Sequence, residues 1–234
     1  MTELIAARLR RRVRVAGAEP FLTYYEPASG ARVELSAVTL LNWVDKTCHL
    51  LDELDVRPGD TVRLALAETA PGHWLTAVWE LACWQVGAGV RTGVSGDARL
   101  LVSGPDWSAH ADAGVDQVAC SLHPLGLPLP ERLPSPVLDY ALEVRGQADT
   151  YAPAAQSGLT TAWLDPARRL SQADLVAEPW PAAARRLVQP STPWPTAYTA
   201  VVAPLLGGGS TVLVAGEATP DQLARIVQDE RAEV

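Results

Sequence analysis

Two glycine runs are the first places where this sequence could do chemistry. A glycine-rich turn that opens a helix can wrap backbone N–H groups around a phosphate. Gly87-Ala88-Gly89, followed by Thr92-Gly93, is half of a dinucleotide fingerprint, and Gly207-Gly208-Gly209-Ser210 is a glycine run without the lysine of a Walker loop. Both follow a helical pattern and precede a strand pattern, the reverse of what phosphate binding requires. They read instead as helix ends and connecting turns. Ser95 and Ser103 each precede a glycine, but neither stands in the G-x-S-x-G turn that exposes a serine nucleophile. His49, His73, His110 and His123 lack the H-E-x-x-H spacing, and Cys48, Cys83 and Cys120 form no C-x-x-C pair. The residues therefore assign no catalytic position and no metal ligand. No cofactor is expected, and cofactor-binding residues stay unassigned.

Composition narrows the field further. With 48% hydrophobic and 20% charged residues over 234 positions, the chain has the makings of a folded core. A net charge of -8 argues against nucleic acid as a partner, since that affinity comes mostly from neutralising phosphates. Lys46 is the only lysine, so chemistry that needs a lysine elsewhere has no candidate. Arg8, Arg10, Arg11, Arg12 and Arg14 form a basic cluster, but residues 13–25 contain Arg14, Glu19 and Pro20 where an export signal needs an apolar stretch. A surface helix with Leu4, Ile5 and Leu9 as its buried stripe is expected instead. No apolar run approaches the ~18 residues of a membrane span, so a cytoplasmic protein is expected. The eight tryptophans, among them Trp74, Trp79 and Trp84 at five-residue spacing, are expected in core or interface packing.

The elements that would position any site follow from periodicity. Residues 21–26 and 31–35 read as a hairpin over a Pro-Ala-Ser-Gly turn. Ser36 caps a helix to about Leu54, with Leu40, Leu41, Val44, Cys48, Leu51 and Leu54 on one face. Residues 61–67 alternate as a strand, residues 72–86 read as a helix, and short strands follow at Val90, 99–103 and 115–120. Residues 124–136 are an irregular proline-rich loop and 136–146 a helix. The stretch 147–161 carries no clear element beyond a strand from 159 to 164, and Ser171 caps a turn before Leu175. A second proline-rich segment runs over 179–195. A helix at 196–206, a strand at 211–214 and a helix from Pro220, capped by Thr219, complete the chain. Strands alternating with helices predict an α/β fold with a mostly parallel sheet flanked by helices. It reads as one domain over 1–234, divisible into lobes 1–146 and 147–234.

Two stretches carry a resemblance. Val56-Arg57-Pro58-Gly59-Asp60-Thr61-Val62 after a long helix is similar to the "GVxPGDxVAL" turn of the adenylate-forming superfamily, which includes acyl-CoA synthetases, luciferases and peptide-synthetase adenylation domains. The helix ending Gly87-Ala88-Gly89-Val90 resembles that family's "KAGAVxVPL", without the following proline. Residues 203–214, from Ala203-Pro204-Leu205-Leu206-Gly207 to Val214, resemble its "PLLxGAxVVL". The resemblance implies the fold of part of the large N-terminal domain, and a reaction in which ATP activates a carboxylic acid to an acyl-adenylate. It also implies a Ser/Thr/Gly-rich phosphate loop ending in lysine. In the comparable region, 149–164, Ser157-Gly158-Leu159-Thr160-Thr161 is a remnant without lysine, and Lys46 in the first helix cannot substitute. The family's C-terminal lid and its lysine are not expected. The expectation is a pseudoenzyme acting as an interaction or regulatory module, its partner a second copy or another protein. The alternative is a non-catalytic binder of a small acyl or nucleotide ligand.

Overall fold

The computed structural model describes residues 3–93, 96–110, 114–177 and 183–234. It opens with α1 (Ile5–Ala16), which buries Ile5, Ala6 and Leu9 and leaves its arginines outward. Four of those five arginines are engaged: Arg8 and Arg11 with Glu3, Arg10 with Asp45, and Arg12 with Glu19. The expected hairpin forms as β1 (Pro20–Glu26) and β2 (Ala31–Ser36), paired antiparallel. Ser36 then accepts a hydrogen bond from the Thr39 N–H and starts α2 (Ala37–Glu53), whose predicted apolar face is buried from Leu40 through Leu51. Asp55, where the family pattern has glycine, adopts φ 57°, the left-handed conformation that glycine takes at no steric cost.

The next strand is shorter than its alternation predicts. β3 covers Thr61–Leu64, and Ala65–Thr69 turns into a short helix, α3. Its neighbours pair only with residues 61–64, and beyond them the Ala-Leu-Ala-Glu run follows its own helix preference. α4 (Trp74–Val86) is buried on every side, as a helix between layers must be. Gly87, at φ 83°, closes it in the left-handed conformation that glycine adopts most readily. β4 (Gly89–Arg91), β5 (Leu100–Ser103) and β6 (Asp116–Ala119) follow as expected. The helix expected over 136–146 is instead β7 (Leu138–Asp139) and α5 (Tyr140–Val144). Asp139 ends the strand by accepting from the Ala141 N–H.

The second half contains two strands that the pattern did not reveal. β8 (Thr161–Asp165) is joined by a tight turn to β9 (Arg168–Ser171), and β10 (Arg185–Val188) lies inside the proline-rich segment. α6 (Pro193–Ala197), a π turn (Tyr198–Val202) and α7 (Ala203–Gly207) together make the expected helix. β11 (Ser210–Val214) and α8 (Pro220–Glu230) complete the chain, α8 with a full capping box between Thr219 and Gln222.

The strands divide between two sheets, where composition and order suggested one. The first has the order β10-β11-β1-β2 and the second β7-β6-β5-β3-β4-β8-β9, parallel throughout except for the β8–β9 hairpin. α2 packs on β1 and β2 and on α4, which lies against β4. The main core is therefore a helical layer between two sheets, with Trp74, Trp79, Trp84 and Trp163 all buried in it. Among the described residues, no helix is long and apolar enough to cross a membrane.

One polar knot ties α8 to the first sheet. Glu230 accepts from the Tyr25 hydroxyl at 2.6 Å, from Arg32 Nε at 2.9 Å and from Arg185, which also reaches Thr23 and Ser210. Desolvation pushes the Glu230 carboxyl up, but the bonds from Tyr25, Arg185 and Arg32 outweigh it and hold it below the usual range. A carboxylate held low stabilises above its unfolded value and loses that contribution as pH falls through its folded one. Glu230→Gln is expected to cost about 2 kcal/mol at pH 7, because Arg185 loses its counter-charge and Arg32 keeps only that of Glu34. In urea unfolding the gap from the parent should shrink toward pH 3; a constant gap would mean that the charge contributes nothing.

Candidate functional site

In open α/β sheets ligands collect outside the carboxyl ends of the strands. Here that edge is formed by α3 after β3, Thr92 and Gly93 after β4, and the β8–β9 turn, with α6 as the opposite wall. Two adjoining cavities lie along it. One of ≈ 380 Å³ is lined by residues including Glu68, Thr92, Asp165 and Trp194, and one of ≈ 560 Å³ by residues including Leu170, Asp174, Leu175 and Tyr198. Arg168 and Trp194 line both.

The β8–β9 turn is the decisive piece of this site. Pro166 presets the backbone for a turn, and Asp165 closes it by accepting from the N–H groups of Ala167 (2.8 Å) and Arg168 (2.9 Å) with one oxygen. Its other oxygen accepts from Trp163 Nε1 at 2.9 Å and pairs with Arg168 Nε at 3.3 Å. Across β4 the pattern repeats, with the Gly93 N–H bonded to the Glu68 carboxylate at 2.8 Å. Three amides at this edge, those of Gly93, Ala167 and Arg168, are thus occupied by the protein's own carboxylates. The opposite wall is aromatic. The rings of Trp163 and Trp194 are 5.1 Å apart, those of Trp194 and Tyr198 6.1 Å, and the Arg168 guanidinium sits 5.8 Å from the centre of the Trp194 ring.

Of the residues singled out from sequence, Thr92 and Gly93 line the crevice and the others lie elsewhere. Ser157-Gly158-Leu159-Thr160-Thr161 enters β8 at its amino end, away from the crevice. There the Ala173 N–H bonds the Gly158 carbonyl, and Gln156 reaches the carbonyls of Trp84 and Gln85. Gly87 lies at the same end, beside Pro58 and Gln156. Gly208 is the left-handed cap of α7, and a side chain at Gly209 would collide with the Ala184 carbonyl. Both glycine runs are structural turns. Ser103 is buried and accepts from Gln117, while Ser95 lies outside the described residues.

Lys46 donates to the Gln147 carbonyl and pairs with Asp149 at 3.0 Å, lining a different cavity on the α2 face. Each histidine has a partner: His49 the Thr150 carbonyl, His73 the Leu122 carbonyl, His110 Asp106, and His123 the Leu125 N–H. The three cysteines are buried, and burial pushes their thiols up, Cys120 to about 12. Among the described residues no three His, Cys, Asp or Glu side chains come together to hold a metal. Sequence reasoning missed Glu68, the turn from Asp165 to Arg168, and Trp194. The Asp-Pro-Ala-Arg spelling is a turn signal that could have found the second of these.

No family model matches the chain. It is 33% identical to a "TIGR03089 family protein" of Mycobacterium tuberculosis, over 98% of this chain and 96% of that one. Its structure is similar to the acyl-CoA synthetase of Brucella canis, with TM-score 0.74 and 16% identity, covering 98% of this chain and 46% of that one. It is similar to the N-terminal domain of FACL13 from Mycobacterium tuberculosis, with TM-score 0.71 and 12% identity, covering 99% of this chain and 62% of that one. The acetoacetyl-CoA synthetase of Streptomyces lividans aligns at TM-score 0.73 and 19% identity, over 98% of this chain and 41% of that one. The chain therefore spans about half the length of the solved structures it matches, and shares with them the fold of their N-terminal domain.

Proposed function

From the premise that the chain belongs to the TIGR03089 family, we propose that it is a catalytically silent member of the adenylate-forming fold, a small-ligand binder with no ATP-dependent ligase activity. The observation that carries this reading is the β8–β9 turn. Its Ala167 and Arg168 amides are held by Asp165, so the backbone of the turn presents a carboxylate where a phosphate loop presents free N–H donors. Phosphoryl transfer needs donors and a cation aimed at the charge that develops. The only lysine is engaged on the α2 face. The crevice itself remains open beside an aromatic wall, as a binding site requires. A second reading, a protein-docking module, draws on Leu125, which is 72% exposed beside a cavity lined by Trp43. It is the weaker of the two, because none of the described tryptophans is exposed as a surface anchor would be.

The test is an adenylation assay of the purified chain with ATP, magnesium and a panel of short, long and aromatic carboxylic acids. Pyrophosphate release should stay at the no-protein level, and hydroxylamine should trap no acyl-adenylate. Stoichiometric or catalytic release with any acid would overturn the proposal.

A further inference from the structure

We infer that β2 is the seat of a symmetric dimer, in which two copies of this chain pair antiparallel along its open edge, centred on Val33. The dimer does not depend on what the crevice binds. Among the described residues β2 pairs with β1 on one side and with no strand on the other. At six residues it is the longest edge strand of either sheet, since β7 has two and β9 and β10 have four each. The edge at β10 is also partly covered, by Glu233, whose N–H donates to the Arg185 carbonyl and whose carbonyl accepts from the Leu187 N–H. An open edge is a row of unpaired N–H and C=O groups, and proteins blunt it with charged side chains.

The charges on β2 discourage other strands but complement a second copy. Alternation puts Arg32 and Glu34, both exposed, on one face, and Val33 and Leu35 on the face toward the core. A twofold antiparallel pairing has one residue at its centre. Centred on Arg32 or on Glu34 it would set like charges against each other, and centred on Ala31 or Leu35 it would oppose no charged pair. Centred on Val33 it sets Arg32 against the partner's Glu34 and Glu34 against the partner's Arg32, two favourable cross-strand pairs. Both groups have bonding capacity left for this. Arg32 bonds Tyr25 and Glu230 through Nε and Glu34 and Glu230 through Nη2, while Glu34 accepts with Oε2. Among the described residues Arg32 Nη1 and Glu34 Oε1 have no partner. Glu230 holds the guanidinium on this face before a second copy arrives, so little freedom is lost on pairing.

Sedimentation velocity of the purified chain over a rising concentration series tests this. The mass should climb from 25.0 kDa toward twice that value, and added salt should weaken the association. Glu34→Arg sets arginine against the partner's Arg32 and leaves the Glu230 knot in place, so it should raise the dissociation constant about tenfold or more. The register is read separately by oxidative cross-linking, because the three native cysteines are buried. Val33→Cys should link two copies, since the paired residues at the centre lie within disulfide reach. Ala31→Cys should not, since its counterpart lies four residues, about 13 Å, along the partner strand. A single-chain mass at every concentration, a dimer indifferent to Glu34→Arg, or a link through Ala31→Cys in place of Val33→Cys would overturn the inference. So would a dimer dissolved by Leu125→Asp, which would put the interface on the α2 cavity instead.

Discussion

Trp84→Ala is expected to destabilise the protein by about 3–5 kcal/mol, one of the two largest effects of any substitution considered. The side chain is fully buried on α4, a helix whose residues are all buried. Its indole N–H donates to the Ala162 carbonyl at 2.9 Å, at the point where β8 bulges: Thr161 faces Ser171 and Trp163 faces Leu170, with Ala162 extra between them. Trp84 therefore joins the central helix to the strand that carries the β8–β9 turn. Two effects can be separated experimentally. Trp84→Phe keeps most of the volume and loses the donor, and should cost about 1 kcal/mol. The alanine variant adds a cavity whose cost grows with whatever volume fails to collapse. Urea unfolding of both at pH 7 checks this. An alanine variant within 1 kcal/mol of the parent would show that the Trp84 junction is not packed as described.

The same junction explains what could be read from the residues and what could not. α2 was legible because a cap at Ser36 and a repeating apolar face are local signals, each set by neighbours three or four positions away. α8 was legible for the same reason, through Thr219, Pro220 and Gln222. β9 and β10 were not. Each begins with two arginines and lies at a sheet edge, where one side has no strand partner and alternation carries little information. Their existence depends on pairing with β8 and β11, which is set by tertiary structure. Strand–helix alternation fixed the class of fold but not the division into two sheets. That division is made by β1 pairing with β11, nearly two hundred residues away.

The crevice failed to appear for a related reason. Glu68 carries no local signal of a role, because the alternation that predicts the preceding strand continues to Ala67. Only its early end at Leu64, and the turn into α3, bring that carboxylate to the Gly93 N–H. Trp194 sat in a segment read as proline-rich loop, and its value comes from Arg168 and Trp163, on other elements. The resemblance supplied the architecture, and it pointed to a missing phosphate loop. It placed the remnant at the amino end of β8, because a run of Ser, Gly and Thr looks like a phosphate loop wherever it stands. Which end of a strand a loop occupies becomes visible only with strand direction.

Acidification should unfold the protein in a way that His73 governs in part. His73 caps α4, its Nδ1 accepting from the Leu75 N–H and its Nε2–H donating to the Leu122 carbonyl, and its ring packs on Tyr24 and Trp74. It thus ties the first sheet, the central helix and the loop after β6 at one point. Burial lowers its pKa to about 4, against the smaller opposing effects of the Leu122 bond and the Glu26 charge. The folded state needs the neutral ring, while the unfolded chain takes up a proton below about 6.5. This contribution is therefore complete above pH 6.5 and is lost progressively as pH falls to about 4, for a total of roughly 3 kcal/mol. His73→Asn keeps an acceptor for the Leu75 N–H but loses the donor to Leu122, and should cost about 1–2 kcal/mol at pH 7. Because asparagine does not titrate, the variant should lose less stability than the parent between pH 6.5 and 4, so that the two curves converge or cross. Urea unfolding at half-unit pH steps measures both slopes, and parallel curves would place the acid sensitivity on other groups.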